Sequence, residues 1–157
     1  MYKITSKSDD ETYNIGMIIG YCCFEGTIIT LNGQLGAGKT VLAKGIAKGL
    51  GIDDNVTSPS FAILNTYSGK LLLHHFDLYR LSNSEEVNEL GFNEYFDGDG
   101  VCLIEWANDA LLDKKKEVLL INIEGSGDDI RTITFEAFGE KHNKLLENIK
   151  KSLEIKK

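Results

Sequence analysis

The stretch Thr27-Ile28-Ile29-Thr30-Leu31-Asn32-Gly33-Gln34-Leu35-Gly36-Ala37-Gly38-Lys39-Thr40 decides how this chain folds. Its first five residues are short and β-branched, as a buried strand should be, and they run straight into Gly33-x4-Gly38-Lys39-Thr40, the full Walker A pattern. Beyond the loop, Leu42, Gly45, Ile46 and Gly49 mark one face of a helix that Gly51 can end. Strand, loop and helix in that order let backbone N–H groups and a helix N-terminus converge on an anion. Gly33, Gly36 and Gly38 permit the backbone path, with Ala37 and Val41 in the same cradle; Lys39 can reach the β and γ phosphates and the Thr40 hydroxyl can ligate Mg²⁺. The expected ligands are therefore ATP and Mg²⁺.

A loop of this kind needs an acidic residue at the end of a neighbouring strand to hold the metal or its waters. Two fit. Glu105 ends the apolar run Val101-Cys102-Leu103-Ile104, which reads as a central strand, and Asp77 lies near the end of Leu71 to Phe76. Strand alternation puts His75, Asp77 and Tyr79 on one face and His74, Phe76 and Leu78 on the other. A carboxylate so placed can hold the metal, orient water towards the γ-phosphate, or pair with Arg80. His75 reads equally as a hydrogen-bonded structural residue or a catalytic one. Trp106, the only tryptophan, packs either against the nucleotide or in the core.

Outward from this centre, Ser8 with Glu11 is a capping-box pattern, and Ile15, Ile18, Ile19 and Cys22 recur at helical spacing, predicting a first helix from about Asp9 to Cys23. Pro59, the only proline, favours a loop over Asn55 to Ser60. Phe61 to Tyr67 and Lys70 to Leu78 read as strands around Ser68-Gly69, a hairpin signal. A helix from Ser82 to Leu90, a short turn through Phe92, Tyr95 and Phe96, a helix from about Asn108 to Leu112, strands at Glu117 to Glu124 and Arg131 to Phe138, and a helix from about Glu140 complete the pattern.

The chain has 157 residues, 42 % of them hydrophobic and 26 % charged, which suits one sizeable core. No run approaches the apolar length of a membrane span, and the polar start from Met1 to Glu11 lacks the apolar centre of a secretory signal, so a cytoplasmic location is expected. Three cysteines without a Cys-x-x-Cys pair argue against a disulfide framework and a zinc site; Cys22, Cys23 and Cys102 read as buried reduced thiols. The net charge of −7 is uneven: Lys141 to Lys157 hold six lysines against Glu147 and Glu154, a balance of +4, which leaves −11 on Met1 to Glu140. Such an acidic body is a poor match for a phosphate backbone, so tight nucleic-acid binding is not expected of the chain alone. The basic tail reads as the solvated face of a terminal helix.

Gly33-Gln34-Leu35-Gly36-Ala37-Gly38-Lys39-Thr40, Ser58-Pro59-Ser60-Phe61, His75-Phe76-Asp77-Leu78-Tyr79-Arg80, Glu89-Leu90-Gly91 and Ile104-Glu105-Trp106 occur in one order over most of the chain. In this set the chain resembles the TsaE (YjeE) family, the bacterial ATPase component of tRNA threonylcarbamoyladenosine synthesis. The resemblance implies an α/β fold: a single P-loop NTPase domain over 1–157, with a central, mostly parallel sheet flanked by helices, antiparallel additions, and a basic helix over about 140–157. It also implies slow ATP hydrolysis that becomes useful with the partner proteins TsaB and TsaD, which modify adenosine 37 of tRNAs reading codons that begin with A. By the same resemblance Thr40 and Glu105 bind Mg²⁺, Asp77 is the catalytic carboxylate, Lys39 and Trp106 support catalysis, and Ser58 to Phe61 is a switch-like loop. Ser60 stands where threonine is usual, and Asn108 where an acidic residue is frequent. Arg131 and the helix start from Ser8 to Thr12 are the expected walls of the base pocket.

A small-molecule kinase and a nucleotide-gated binding module are the rival readings. Such kinases usually clamp phosphates with lid arginines, whereas only Arg80 and Arg131 are present here. A GTPase is disfavoured, because Asn143-Lys144-Leu145-Leu146 lacks the aspartate of the guanine-reading signature.

Overall fold

The structure, a computed structural model, describes residues 1–34, 36–56, 64–78, 93–105, 117–125 and 129–155. Seven strands, β1 (Tyr2–Ser6), β2 (Ile28–Asn32), β3 (Leu64–Tyr67), β4 (Leu73–Asp77), β5 (Val101–Glu105), β6 (Val118–Gly125) and β7 (Arg131–Phe138), form one sheet in the order β1-β7-β6-β2-β5-β4-β3. The helices are α1 (Asp9–Cys22), α2 (Lys39–Gly49), the single turn α3 (Asn93–Phe96) and α4 (Glu140–Ile155).

The four inner strands β6, β2, β5 and β4 run parallel, while β3, β7 and β1 are added antiparallel. The sheet is therefore mixed, with parallel pairing confined to its centre rather than dominating it. β4 and β5 are buried at every position, which explains the continuous apolar run of β5, whereas β4 buries His74, His75 and Asp77 as well. β6 and β7 largely alternate buried with more exposed residues, as strands with one wetter face do.

α1, α2 and α4 share one core on a single face, built on Ile19, Ile29, Leu31, Leu103, Phe135 and Ile149. The opposite face carries a smaller cluster in which Phe96 of α3 meets Phe76 of β4, ring centroids 5.3 Å apart.

Local chemistry accounts for most element boundaries. Ser8 Oγ accepts from Glu11 N–H at 3.1 Å, the expected cap of α1, and Glu11 Oε2 accepts from Lys7 N–H at 2.7 Å, one residue before the N–H that a strict capping box would use. The strand β1 was not expected; Tyr2 and Ile4 are half-buried among polar neighbours, and the short stretch is held as a strand by pairing with β7. β3 and β4 form the expected hairpin, with β4 starting at Leu73 rather than Lys70. The segments 57–63, 79–92 and 106–116 lie outside the described residues, and with them the expected helices from Ser82 and Asn108.

α1 lies against α2 through four glycines. A Cβ on Gly16 or Gly20 would stand 2.5 Å from Leu42 O or 2.1 Å from Ile46 O, and one on Gly45 or Gly49 would stand 2.2 Å from Tyr13 O or Met17 O. Backbone meets backbone at this crossing, so no side chain fits. Because Gly16 faces Gly45 and Gly20 faces Gly49, the two helices run in the same sense and begin at the same end of the sheet.

Candidate functional site

Everything the sequence singles out among the described residues gathers at the C-terminal ends of the parallel strands. β2 pairs with β5 up to Leu31↔Glu105 and with β6 up to Asn32↔Asn122, so the glycine-rich loop leaves the sheet between those two neighbours. The loop hugs β6: a Cβ on Gly33 would lie 2.5 Å from Ile123 O, which leaves room only for glycine. At the other end of the loop Gly38, with φ of +100°, caps α2 from the left-handed region. It provides no side-chain acceptor to the helix, and the first turn of α2 holds no acidic residue.

Lys39, the first residue of α2, is buried, whereas Thr40 is exposed and Val41 half-exposed. Burial is the main influence on Lys39 and pulls its ammonium below the usual lysine range; the carboxylates of Glu105 and, less strongly, Asp77 push it back up. The lysine thus sits in the field of both acidic residues.

Those two carboxylates are neighbours by register. Asp77 pairs with Glu105 across β4 and β5, and Leu78 N–H donates to Glu105 O at 3.0 Å, locking the strand ends together. Paired positions on parallel strands point to the same face, so two carboxylates, 8 % and 3 % exposed as residues, stand side by side. Such a pair is tolerable only with positive charge close by, which Lys39 provides and a bound cation would reinforce.

His75 lies two residues before Asp77 and on its face. Its Nε2 is 2.5 Å from Glu105 Oε2, and both side chains are nearly inaccessible. Its Nδ1 has no hydrogen-bond partner among the described residues. An unsatisfied buried ring nitrogen costs about 1–3 kcal/mol, so the imidazole is kept for what Nε2 does. The sequence placed His75 on the right face but left its role open, because the partner lies 30 residues away on another strand.

Arg131 opens β7, opposite Gly125 on β6 and Ser6 on β1. Its Nη2 donates to Gly36 O at 3.3 Å, and a Cβ on Gly38 would meet its Nε at 3.3 Å. The guanidinium thus lies against the glycine-rich loop, and Ser6 leads directly into the start of α1. Arg131 and the residues Ser8 to Thr12 are brought to the same end of the molecule. The glycine pairs Gly16/Gly20 and Gly45/Gly49, spaced by four on each helix, were the signal available for the α1–α2 crossing that supports the loop.

Trp106, Tyr79, Arg80 and Ser58 to Phe61 lie outside the described residues. All three cysteines are free; Cys102 is buried, whereas Cys22 and Cys23 are only half-buried, less enclosed than expected. Burial pushes the Cys23 thiol up to about 12, so it is unreactive at neutral pH. Among the described residues no three His, Cys, Asp or Glu side chains gather as a metal site, and no helix is long and apolar enough to cross a membrane. The donors available to a cation here are the Thr40 hydroxyl and the two strand-end carboxylates, oxygen ligands of the kind Mg²⁺ prefers, with substrate and water left to complete the shell.

Comparison with known proteins places the chain in a family. Residues 6–133 match the model of a family described as "Threonylcarbamoyl adenosine biosynthesis protein TsaE". A relative from Bacillus subtilis, named tRNA threonylcarbamoyladenosine biosynthesis protein TsaE, is 44 % identical over 141 residues, covering 89 % of this chain and 88 % of that one. One of the same name from Treponema pallidum is 38 % identical over 132 residues, covering 84 % of this chain and 98 % of its own. The crystal structure of Bacillus subtilis YdiB superposes with a TM-score of 0.81 at 38 % identity, covering 96 % of this chain and 95 % of that one. The match spans the glycine-rich loop, both strand-end carboxylates and Arg131, and the chain belongs to the TsaE family.

Proposed function

We propose that this chain is a P-loop NTPase, a Mg²⁺-dependent ATP hydrolase that works in the cytoplasm in the threonylcarbamoyl modification of adenosine 37 in tRNAs reading codons that begin with A, together with the TsaB and TsaD proteins. The observation that carries the reading is the meeting of Asp77 and Glu105 beside the buried Lys39 at the uncapped start of α2. The family names place such proteins in threonylcarbamoyladenosine biosynthesis, and the strand–loop–helix geometry suits a polyphosphate substrate.

In this reading the first backbone N–H groups of α2 and the Lys39 ammonium bind the phosphates, with Gly33, Gly36, Ala37 and Gly38 shaping the cradle. Arg131 closes one side of it, and the start of α1 walls the base. Thr40 and Glu105 hold Mg²⁺, which supplies neutralisation of charge on the phosphate oxygens when bound. Asp77 orients the attacking water and accepts its proton. Lys39 balances the charge of the two carboxylates before substrate arrives. The chain offers few arginines to the transferring phosphoryl group, so turnover is slow until partners dock; an arginine supplied from outside raises such rates by about 10³–10⁵. tRNA is reached through the complex rather than by the acidic body.

Steady-state phosphate release tests this. The pure chain should be slow, the chain with tRNA no faster, and the chain with TsaB and TsaD faster. Asp77→Asn should lower turnover at least about 10²-fold while sparing ATP binding, whereas Glu105→Ala should raise the Mg²⁺ requirement. Full activity of the pure chain, stimulation by tRNA alone, or identical Mg²⁺ titrations for the two variants would overturn the assignment.

A further inference from the structure

We infer that His75 is a positioning residue for the metal-holding carboxylate: its Nε2–H fixes one oxygen of Glu105 so that the other is left to Mg²⁺. The inference rests on the proposed reading of Glu105 as a metal-holding group and adds to it the side chain that orients that group.

Register leaves Glu105 beside Asp77, not beside His75, whose own partner across β4 and β5 is Leu103. The imidazole therefore reaches diagonally, two positions along the neighbouring strand, to meet Glu105 Oε2 at 2.5 Å. A carboxylate accepts rather than donates, so Nε2 is the donor in this bond. Nδ1 finds no partner among the described residues, so Glu105 is the group that orients the ring.

A purely structural role explains this poorly. An apolar residue of similar size would fill the space without leaving a ring nitrogen unsatisfied, and buried charged pairs add little to stability in general. What the imidazole adds is direction. Glu105 ends its strand, where a glutamate has three free torsions, and a single short hydrogen bond from a ring on the adjacent strand removes most of that freedom. With one lone-pair site of Oε2 engaged, Oε1 is the freer oxygen and would be the one offered to Mg²⁺. Partners of this kind behind a ligand usually matter about 10–100-fold in metal affinity.

The test measures nucleotide binding, not turnover, on the full chain: calorimetric ATP affinity is followed against Mg²⁺ concentration for wild type, His75→Leu, His75→Gln and Glu105→Ala. His75→Leu should raise the Mg²⁺ concentration needed for half the effect by about 10–100-fold, with ATP affinity in excess chelator unchanged. His75→Gln, which keeps an N–H donor, should recover most of that loss. An unchanged Mg²⁺ requirement in His75→Leu, or His75→Gln as impaired as His75→Leu, would overturn the inference. If Glu105→Ala shifts the requirement and His75→Leu does not, only the positioning role fails; if Glu105→Ala is also without effect, the reading of Glu105 fails with it. Should His75→Leu not fold, ring ¹⁵N shifts of the wild-type protein decide: the Nε2–H tautomer is expected, and an Nδ1–H tautomer refutes the inference.

Discussion

Two helices begin at the same end of this sheet, and their first turns are chemically opposite. α1 starts with Ser8 as cap, the bond from Lys7 N–H to Glu11, and three acidic residues, Asp9, Asp10 and Glu11. α2 starts with Gly38, which has no side chain to cap it, and has no acidic residue in its first turn. A helix start carries about half a positive charge together with unpaired N–H donors. α1 satisfies both from its own sequence and acts as scaffold. α2 brings neither a capping side chain nor an acidic residue to its start, which suits that start to an anion from outside, beside Lys39. A missing cap next to a complete one is a better pointer to function than the glycine-rich motif taken alone.

The comparison is most directly broken at the crossing that ties the helices together. Gly45→Val places branched carbons where even a Cβ would lie 2.2 Å from Tyr13 O, and should cost about 3 kcal/mol in urea denaturation. A wild-type midpoint would mean that α1 does not support α2 through this contact.

Lys39→Ala addresses the open helix start itself. ATP affinity measured by calorimetry should fall by about 1.5–3 kcal/mol, the scale of a charge-assisted hydrogen bond, while the thermal midpoint of the nucleotide-free protein falls because Asp77 and Glu105 lose the positive charge beside them. Unchanged affinity would mean that the anion does not bind at α2.

Ser8→Ala is the matching change on the closed helix. It should lower stability by about 1 kcal/mol and, because the start of α1 walls the base rather than the phosphates, lower ATP affinity far less than Lys39→Ala does. A loss of affinity comparable to that of Lys39→Ala would mean that the closed helix start contributes as much to binding as the open one.

The smallest expected effect concerns the opposite end of the strands. There His142 of α4, 2 % exposed, accepts a hydrogen bond from Ile28 N–H at 3.0 Å, which a protonated Nε2 could not do. Burial holds its pKa below the ordinary 6.5, aided by Lys141 and opposed by Glu117. The unfolded chain therefore takes up this proton at a higher pH than the folded one. Its contribution to stability is complete above about 6.5 and declines as the pH falls from there towards the lowered folded value. Thermal midpoints recorded from pH 7.5 down to pH 5 should fall less steeply for His142→Gln than for wild type; parallel slopes would remove His142 as a source of the acid sensitivity.

Much of the site was legible in one dimension because its parts are local. A loop that cradles phosphate must be rich in glycine and lie between a strand and a helix, and both conditions are properties of contiguous residues. Glu105 could be placed at a strand end because a buried strand reads as an uninterrupted apolar run that stops at a charge, and Asp77 because the mainly apolar stretch from Leu71 to Phe76 stops there. The start of α1 was legible for the same reason, since a capping box spans four residues. β1 was not, because an edge segment alternating half-buried and exposed residues gains its strand character from pairing with β7, more than 120 residues away in the chain.

By itself, then, the sequence singled out the residues proposed to carry the chemistry, the glycine-rich loop with Lys39 and Thr40 and the carboxylates Asp77 and Glu105, and it left open the role of the histidine two residues before the first of them. Tertiary structure alone decided who stands beside whom. Strand order puts β5 between β2 and β4, so Asp77 meets Glu105 and His75 reaches it. β7 returns antiparallel and lays Arg131 on the loop. The glycine crossing sets α1 parallel to α2. The physical reason is that turns, caps and strand runs are governed by neighbours within a few residues, whereas register and strand order depend on how the whole apolar surface is buried at once, which no short window of sequence contains.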